Sequence, residues 1–131
     1  MYKRQIDDKE WAEKIWMRMN DIRFPEFPNW AAFALNERFR IYRYKKYQEF
    51  RRHSDGRIHR SETEESKLTF MIYLNDDYQG GSTSFDEFVA WPETGMGLCF
   101  DHSLSHEGTM VLDGVKYALR SDVMYRAVMG D

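Results

Sequence analysis

Apolar residues at Trp11, Ile15, Met19 and Ile22 are spaced i, i+4, i+8 and i+11. That is one stripe of a 3.6-residue period, and it predicts a helix. Asp7 or Asp8 stands where the N-cap belongs. Pro25 and Pro28 interrupt the pattern. Asn29 would then cap a short second helix from Trp30 to about Asn36. Residues 1–36 are therefore expected to be a helical support that covers a neighbouring sheet.

From about residue 38 the pattern becomes one of strands and turns. Arg38–Phe50 is dense in Tyr, Phe and Ile. In Lys67–Leu74, alternation puts Leu68, Phe70, Ile72 and Leu74 on one face and Thr69, Met71 and Tyr73 on the other. Asn75-Asp76-Asp77 and Gly80-Gly81 are turn chemistry. Short strands are predicted at Ser82–Phe85, Met96–Phe100, Thr109–Leu112 and Lys116–Tyr125, with Asp113-Gly114 as a hairpin turn between the last two. Arg51–Ser66 is polar and reads as a loop. Short strands with frequent turns predict an all-β sandwich or barrel.

Composition narrows the function. The chain has 131 residues, 21 aromatics and eight Met, enough for one core and too short for two full domains. Nineteen basic against 22 acidic residues give a net charge of −3, which provides no basic footprint for nucleic acid or an anionic membrane. No apolar run approaches the ~20 residues of a membrane helix, and the N-terminus lacks the apolar stretch of a signal peptide. The lone Cys99 allows no internal disulfide and points to a reducing compartment, so a cytoplasmic location is expected.

Two constellations carry candidate chemistry. In His53-Ser54-Asp55 an extended backbone would point an imidazole and a carboxylate the same way. A further histidine would complete the two-His, one-carboxylate set that holds a divalent iron. His59, His102 and His106 are the candidates. His59 lies in the polar loop, and position alone does not separate the other two. A solvated turn flanked by Arg51, Arg52 and Arg60 is the plainer alternative. In the last strand Lys116, Ala118 and Arg120 share a face. Inward-facing cations would require an anion such as a dicarboxylate; on an edge strand they would instead meet solvent or nearby carboxylates.

The order of the segments adds a resemblance. From Asn36 to Arg126 the chain reads NERFRIYRYKKYQEFRRHSDG, KLTFMIYLNDDYQGGSTSF, PETGMGLCFDHSLSHEG and GVKYALRSDVMY. This resembles the catalytic domain of the Fe(II)- and 2-oxoglutarate-dependent dioxygenases, in their prolyl 4-hydroxylase-like branch. The resemblance implies a mainly β fold, a double-stranded β-helix (jelly roll) with N-terminal helices packed on one sheet. Residues 1–131 would form one such domain, with 1–36 as helical support and 37–131 as the jelly-roll core. It implies His53, Asp55 and His106 as iron ligands, which leaves His102 as an outer residue, either behind the ligands or exposed. Lys116, ten positions after His106, would anchor 2-oxoglutarate, with Arg120 close behind. Tyr73, Tyr44 and Thr83 match further co-substrate positions.

The implied activity is hydroxylation of an unactivated C–H bond, coupled to decarboxylation of 2-oxoglutarate to succinate. It uses Fe(II) and O₂, with ascorbate as an optional reductant. The substrate would be a prolyl residue in a peptide or a small amino-acid-like metabolite. The presence of Asp55 disfavours halogenation, whose enzymes omit this carboxylate. Two features depart from the family: Lys46-Tyr47 replaces a frequent Gly before H-x-D, and the N-terminal region is short. Uncovered sheet edges would favour a homodimer. A binding module without redox activity, or a cupin-like metalloenzyme without 2-oxoglutarate, are the alternatives. Nucleic-acid demethylation ranks lower, supported only by the Arg and Lys residues between Arg38 and Arg52.

Overall fold

The computed structural model describes residues 1–128. The chain runs β1 (Tyr2–Asp7), α1 (Lys9–Arg18), β2 (Trp30–Leu35), β3 (Arg38–Tyr44), β4 (Phe50–His53), β5 (His59–Ser61) and β6 (Glu64–Tyr73). It continues through β7 (Gln79–Gly80), β8 (Thr83–Phe85), β9 (Val89–Ala90), β10 (Gly97–Asp101), β11 (His106–Gly108), β12 (Val111–Asp113) and β13 (Lys116–Ala127). The larger sheet has the order β1-β3-β13-β6-β10, with β2 joined to β13 and β5 to β6. A four-stranded sheet, β4-β11-β8-β9, and the pair β12-β7 complete the strands. This is the mainly β jelly-roll architecture, a double-stranded β-helix. No helix among the described residues is long and apolar enough to cross a membrane.

The register of β13 organises the molecule. Lys116 pairs with Tyr44, Ala118 with both Tyr42 and Tyr73, and Arg120 with Arg40 and Met71. Cross-strand partners project to the same face. Lys116, Ala118 and Arg120 therefore share one side with Tyr44, Tyr42, Tyr73 and Met71, while Leu119 and Val123 turn to the other. On that other side Leu68, Phe70, Val123, Leu35 and Phe39 pack against Ala12 and Met19, with Ile15 and Trp16 partly buried around them. The alternation read from Lys67–Leu74 separates these two faces correctly.

Asp8 caps the helix by accepting a hydrogen bond from the Trp11 backbone N–H at 2.9 Å. The buried stripe is nevertheless rotated from the expected one. Ala12, Ile15, Trp16 and Met19 face the sheet, whereas Trp11 and Ile22 remain exposed. Trp16 also stacks on Phe24, at a 5.1 Å centroid distance, which draws the helix round toward this side.

Four further expectations are corrected. Trp30–Asn36 does not form a second helix: Trp30–Leu35 is a strand paired with the far end of β13. Asn29 sits in a left-handed turn before it (φ 67°), a conformation Asn tolerates better than most residues, so it does not act as an N-cap. The N-terminal support is thus one helix between two strands. Tyr2–Asp7 escapes a reading by period because all six residues are exposed at the edge beside β3. Arg51–Ser66 is only partly loop, since it holds β5, most of β4 and the start of β6. Gly114 does make a turn (φ 83°), but Asp113-Gly114 closes no hairpin. β12 pairs with β7 while β13 joins the large sheet, so the turn carries the chain from one sheet to another.

The turn before His53 has glycine-like geometry without a glycine, because Tyr47 adopts φ 69°. Tyr47→Gly should raise unfolding free energy by up to about 1 kcal/mol, because a left-handed Cβ is removed. Leu68→Ala, at a site 1% exposed, should lower it by about 2–5 kcal/mol. Urea denaturation measures both.

Candidate metal and co-substrate site

The smaller sheet faces the polar side of the larger one. His53 ends β4 and His106 opens β11, directly paired across these two strands. Asp55 follows two residues after His53, tied by a 2.8 Å hydrogen bond from its backbone N–H to the His102 carbonyl. One donor atom from each of His53, Asp55 and His106 lies within 4.8 Å of the others. His53 Nε2 is 3.3 Å from Asp55 Oδ1, and His106 Nε2 is 3.6 Å from Asp55 Oδ2.

Hydrogen bonds orient both imidazoles. His53 Nδ1 donates to the Arg51 carbonyl at 2.6 Å, and His106 Nδ1 donates to the Leu104 carbonyl at 2.9 Å. A carbonyl only accepts, so each Nδ1 carries a proton and Nε2 is the ring nitrogen turned toward Asp55. Burial, as the largest influence, holds His106 below its ordinary pKa and so favours the neutral ring. Two imidazole nitrogens and a carboxylate then converge on one point. That donor set fits a divalent iron-type cation, which removes the repulsion. Phe50 stacks on His53 at 4.1 Å, and Phe100 meets His106 edge-on at 4.6 Å between centroids. These rings hold the imidazoles and exclude water beside them.

Lys116 enters the same cavity, which also includes Tyr44, Thr83, Gly108 and Arg120 in its wall. The residue is only 2% exposed, and no carboxylate among the described residues pairs with it. Its Nζ lies over the Tyr44 ring at 4.7 Å and the Tyr73 ring at 5.6 Å. Burial lowers its pKa to about 8. A buried ammonium without a counter-ion suits an anionic ligand of the size a dicarboxylate end group has. Tyr73 is fully buried and shares a hydrogen bond with the Thr83 hydroxyl. Gly81, at φ 67°, makes this packing possible: a Cβ there would lie 2.8 Å from the Tyr78 ring and 3.1 Å from Lys116 Cδ.

Arg120 has different surroundings. Its Nη1 lies 3.4 Å from Asp55 Oδ1 and its Nη2 3.5 Å from Asp122 Oδ1. Its charge is therefore balanced by two carboxylates of the protein, one of them in the triad. The structure thus separates the two cations that alternation placed together. Among the described residues Lys116 has no carboxylate partner, and Arg120 has two.

The family model described as the 2OG-Fe(II) oxygenase superfamily matches residues 39–121. The chain belongs to this superfamily. Fe(II), 2-oxoglutarate and O₂ are the metal, co-substrate and oxidant of 2OG-Fe(II) oxygenases. Among solved structures, the oxygenase is similar in fold to a viral collagen prolyl hydroxylase from Paramecium Bursaria Chlorella virus-1 in its 2OG complex. The identity is 20% and the TM-score 0.63, covering 97% of this chain and 79% of that one. A prolyl-4-hydroxylase of Pseudomonas putida gives 17% identity and a TM-score of 0.66, over 98% and 72% of the two chains. An oxidoreductase of the 2OG-Fe(II) oxygenase family from Burkholderia pseudomallei gives 17% and 0.61, over 97% and 68%. Comparison with curated proteins gives no match.

Sequence reasoning missed several residues of this oxygenase site. Thr69 and Asp122 are buried polar groups beside Asp55 and Arg120. Both follow from alternation, since Thr69 shares a face with Met71 and Tyr73, and Asp122 continues Lys116, Ala118, Arg120. His102 is also buried, 6% exposed; it lies in a turn, where no period signals its direction. His59 is exposed, in the polar segment where it was expected.

A lysine whose folded pKa lies below its ordinary value disfavours the folded state while charged. Stability therefore rises as pH climbs from about 8 toward the ordinary lysine value of 10.5. Lys116→Met carries no such dependence. Its stability advantage at about pH 7 should shrink by roughly 2–3 kcal/mol by about pH 10. Urea denaturation across that range reads the difference, and a constant gap would show that Lys116 keeps its proton throughout.

Proposed function

We propose that the chain is a single-domain Fe(II)/2-oxoglutarate hydroxylase of the prolyl 4-hydroxylase-like branch. It would act on an unactivated C–H bond of a prolyl residue in a peptide or of a small amino-acid-like molecule. The observation that carries this reading is the buried Lys116, without a carboxylate partner among the described residues, in the same cavity as the His53, Asp55, His106 triad. A metal-only cupin-like enzyme has no use for such a cation, and a binding module has no use for the triad beside it. The prolyl hydroxylases among the solved structures similar in fold support the peptidyl-proline alternative.

In this reading His53, Asp55 and His106 hold the iron, which when bound supplies O₂ activation coupled to oxidation of the 2-oxo acid. The chain's own residues do the rest. Asp55 would offset part of the metal charge, and Asp122 takes up part of the Arg120 charge that Asp55 also faces. Lys116 binds the far carboxylate of 2-oxoglutarate, and that carboxylate restores the full charge of the ammonium. Tyr73 and Thr83 reinforce one another beside it, and Tyr44 forms the opposite wall. Phe50, Phe85 and Phe100 surround the imidazoles and keep bulk water out.

Anaerobic titration with Fe(II) and then 2-oxoglutarate tests the proposal. A weak visible charge-transfer absorption should appear and should be lost in His106→Ala. Lys116→Met should keep Fe(II) affinity and weaken 2-oxoglutarate binding by about 10–100-fold, the equivalent of a charged hydrogen bond. Metal binding without the absorption would remove 2-oxoglutarate from the proposal and favour the cupin-like alternative.

A further inference from the structure

His102 is the one histidine of the buried centre that lies outside the triad, yet it meets Asp55 by two routes. Its backbone carbonyl accepts the Asp55 N–H at 2.8 Å. Its ring reaches the carboxylate through Thr69. The Thr69 hydroxyl donates to Asp55 Oδ2 at 2.6 Å, and His102 Nδ1 lies 2.8 Å from the same hydroxyl oxygen. A hydroxyl has one proton, and an ionised carboxylate can only accept it. With that proton committed to Asp55, the Thr69 oxygen can only accept from His102, so Nδ1 must carry hydrogen. At the far edge of the ring, His102 Nε2 meets the Ser66 hydroxyl at 2.7 Å, with Asp122 Oδ1 at 3.6 Å. Ser66 and Thr69 both lie on β6, and both are nearly inaccessible.

We infer that His102 is a positioning residue for the metal-binding carboxylate. By donating to Thr69 it fixes the direction of the Thr69 hydroxyl, which holds one oxygen of Asp55, while Arg120 occupies the side of the other. Asp55 follows the end of β4 and lies in no regular element of its own. Without the relay its side chain could turn about its terminal torsion, a broad and weakly restrained angle. A carboxylate held in one plane loses little freedom on metal binding; one that must first be ordered binds more weakly. Partners that orient a ligand in this way typically account for 10–100-fold in metal affinity. The inference rests on the reading of His53, Asp55 and His106 as metal ligands.

The test uses Co(II) as the probe, titrated into the full chain without 2-oxoglutarate and read by its visible absorption. Thermal melting of the metal-free protein is the control for folding. His102→Ala should weaken Co(II) binding by about 10–100-fold. His102→Asn keeps an N–H near the Nδ1 position and should stay within about threefold of wild type. His102→Gln, whose amide reaches toward Ser66 instead, should behave like Ala. Thr69→Val should reproduce the loss and Thr69→Ser should restore affinity. The double variant His102→Ala/Thr69→Val should be no weaker than either single change, as residues acting in one relay predict.

The threonine pair answers the question even if His102→Ala fails to fold. Unchanged affinity in Thr69→Val, or equal losses in His102→Asn and His102→Ala, would overturn the inference while leaving the metal site in place. Failure of the wild-type protein to bind Co(II) would overturn the metal site itself and the inference with it.

Discussion

Strand β13 is paired along most of its length on both sides, with β3 and β2 on one and β6 on the other. Its alternation divides the protein into two chemical environments. Lys116, Ala118 and Arg120 line the cavity and Asp122 continues that face against Arg120, while Leu119 and Val123 join the apolar layer beneath α1. A slip of one residue would exchange these sets, placing a lysine, an arginine and an aspartate in the apolar layer. The cost of burying those charges without partners far exceeds any loss of pairing geometry. Register, core and site are therefore enforced by the same hydrogen-bonded ladder.

The site depends on an uneven distribution of charge within a small volume. Arg120 sits between Asp55 and Asp122 and is neutralised internally. Lys116, two positions along the same face, beyond Ala118, lies over the Tyr44 and Tyr73 rings without a carboxylate partner among the described residues and keeps its demand for an anion. The imidazoles, each fixed by a carbonyl at Nδ1, leave the opposite demand, for a cation. A protein that buries both an unmatched cation and a cluster of lone pairs gives up stability for the ability to bind. Metal and dicarboxylate relieve the two conditions at once, and this explains why the cavity joins them.

Much of the architecture was legible because β periods persist where one face is buried. The two faces of Lys67–Leu74 and the shared face of Lys116, Ala118 and Arg120 follow from a period of two. The misread elements lack that asymmetry. Tyr2–Asp7 is exposed on both faces. Trp30–Leu35 is partly buried over most of its length and contains three alanines, so its composition is compatible with a helix. Asp113-Gly114 forms a turn, but local chemistry specifies only the bend and not which strands lie on either side of it.

The sequence by itself determined the strand-rich core, the order of its motifs and, through the resemblance those motifs carry, the residues to examine: His53, Asp55, His106, Lys116, Arg120, Tyr73, Tyr44 and Thr83. These are properties of spacing and residue type, which are local. Only the tertiary structure decided that Lys116 has no carboxylate partner among the described residues while Arg120 has two, and that His102, of its two open positions, takes the buried one behind Asp55. Those facts depend on distances between β4, β6, β11 and β13, elements far apart along the chain. Electrostatic balance is a sum over neighbours in space, and a one-dimensional pattern does not contain it.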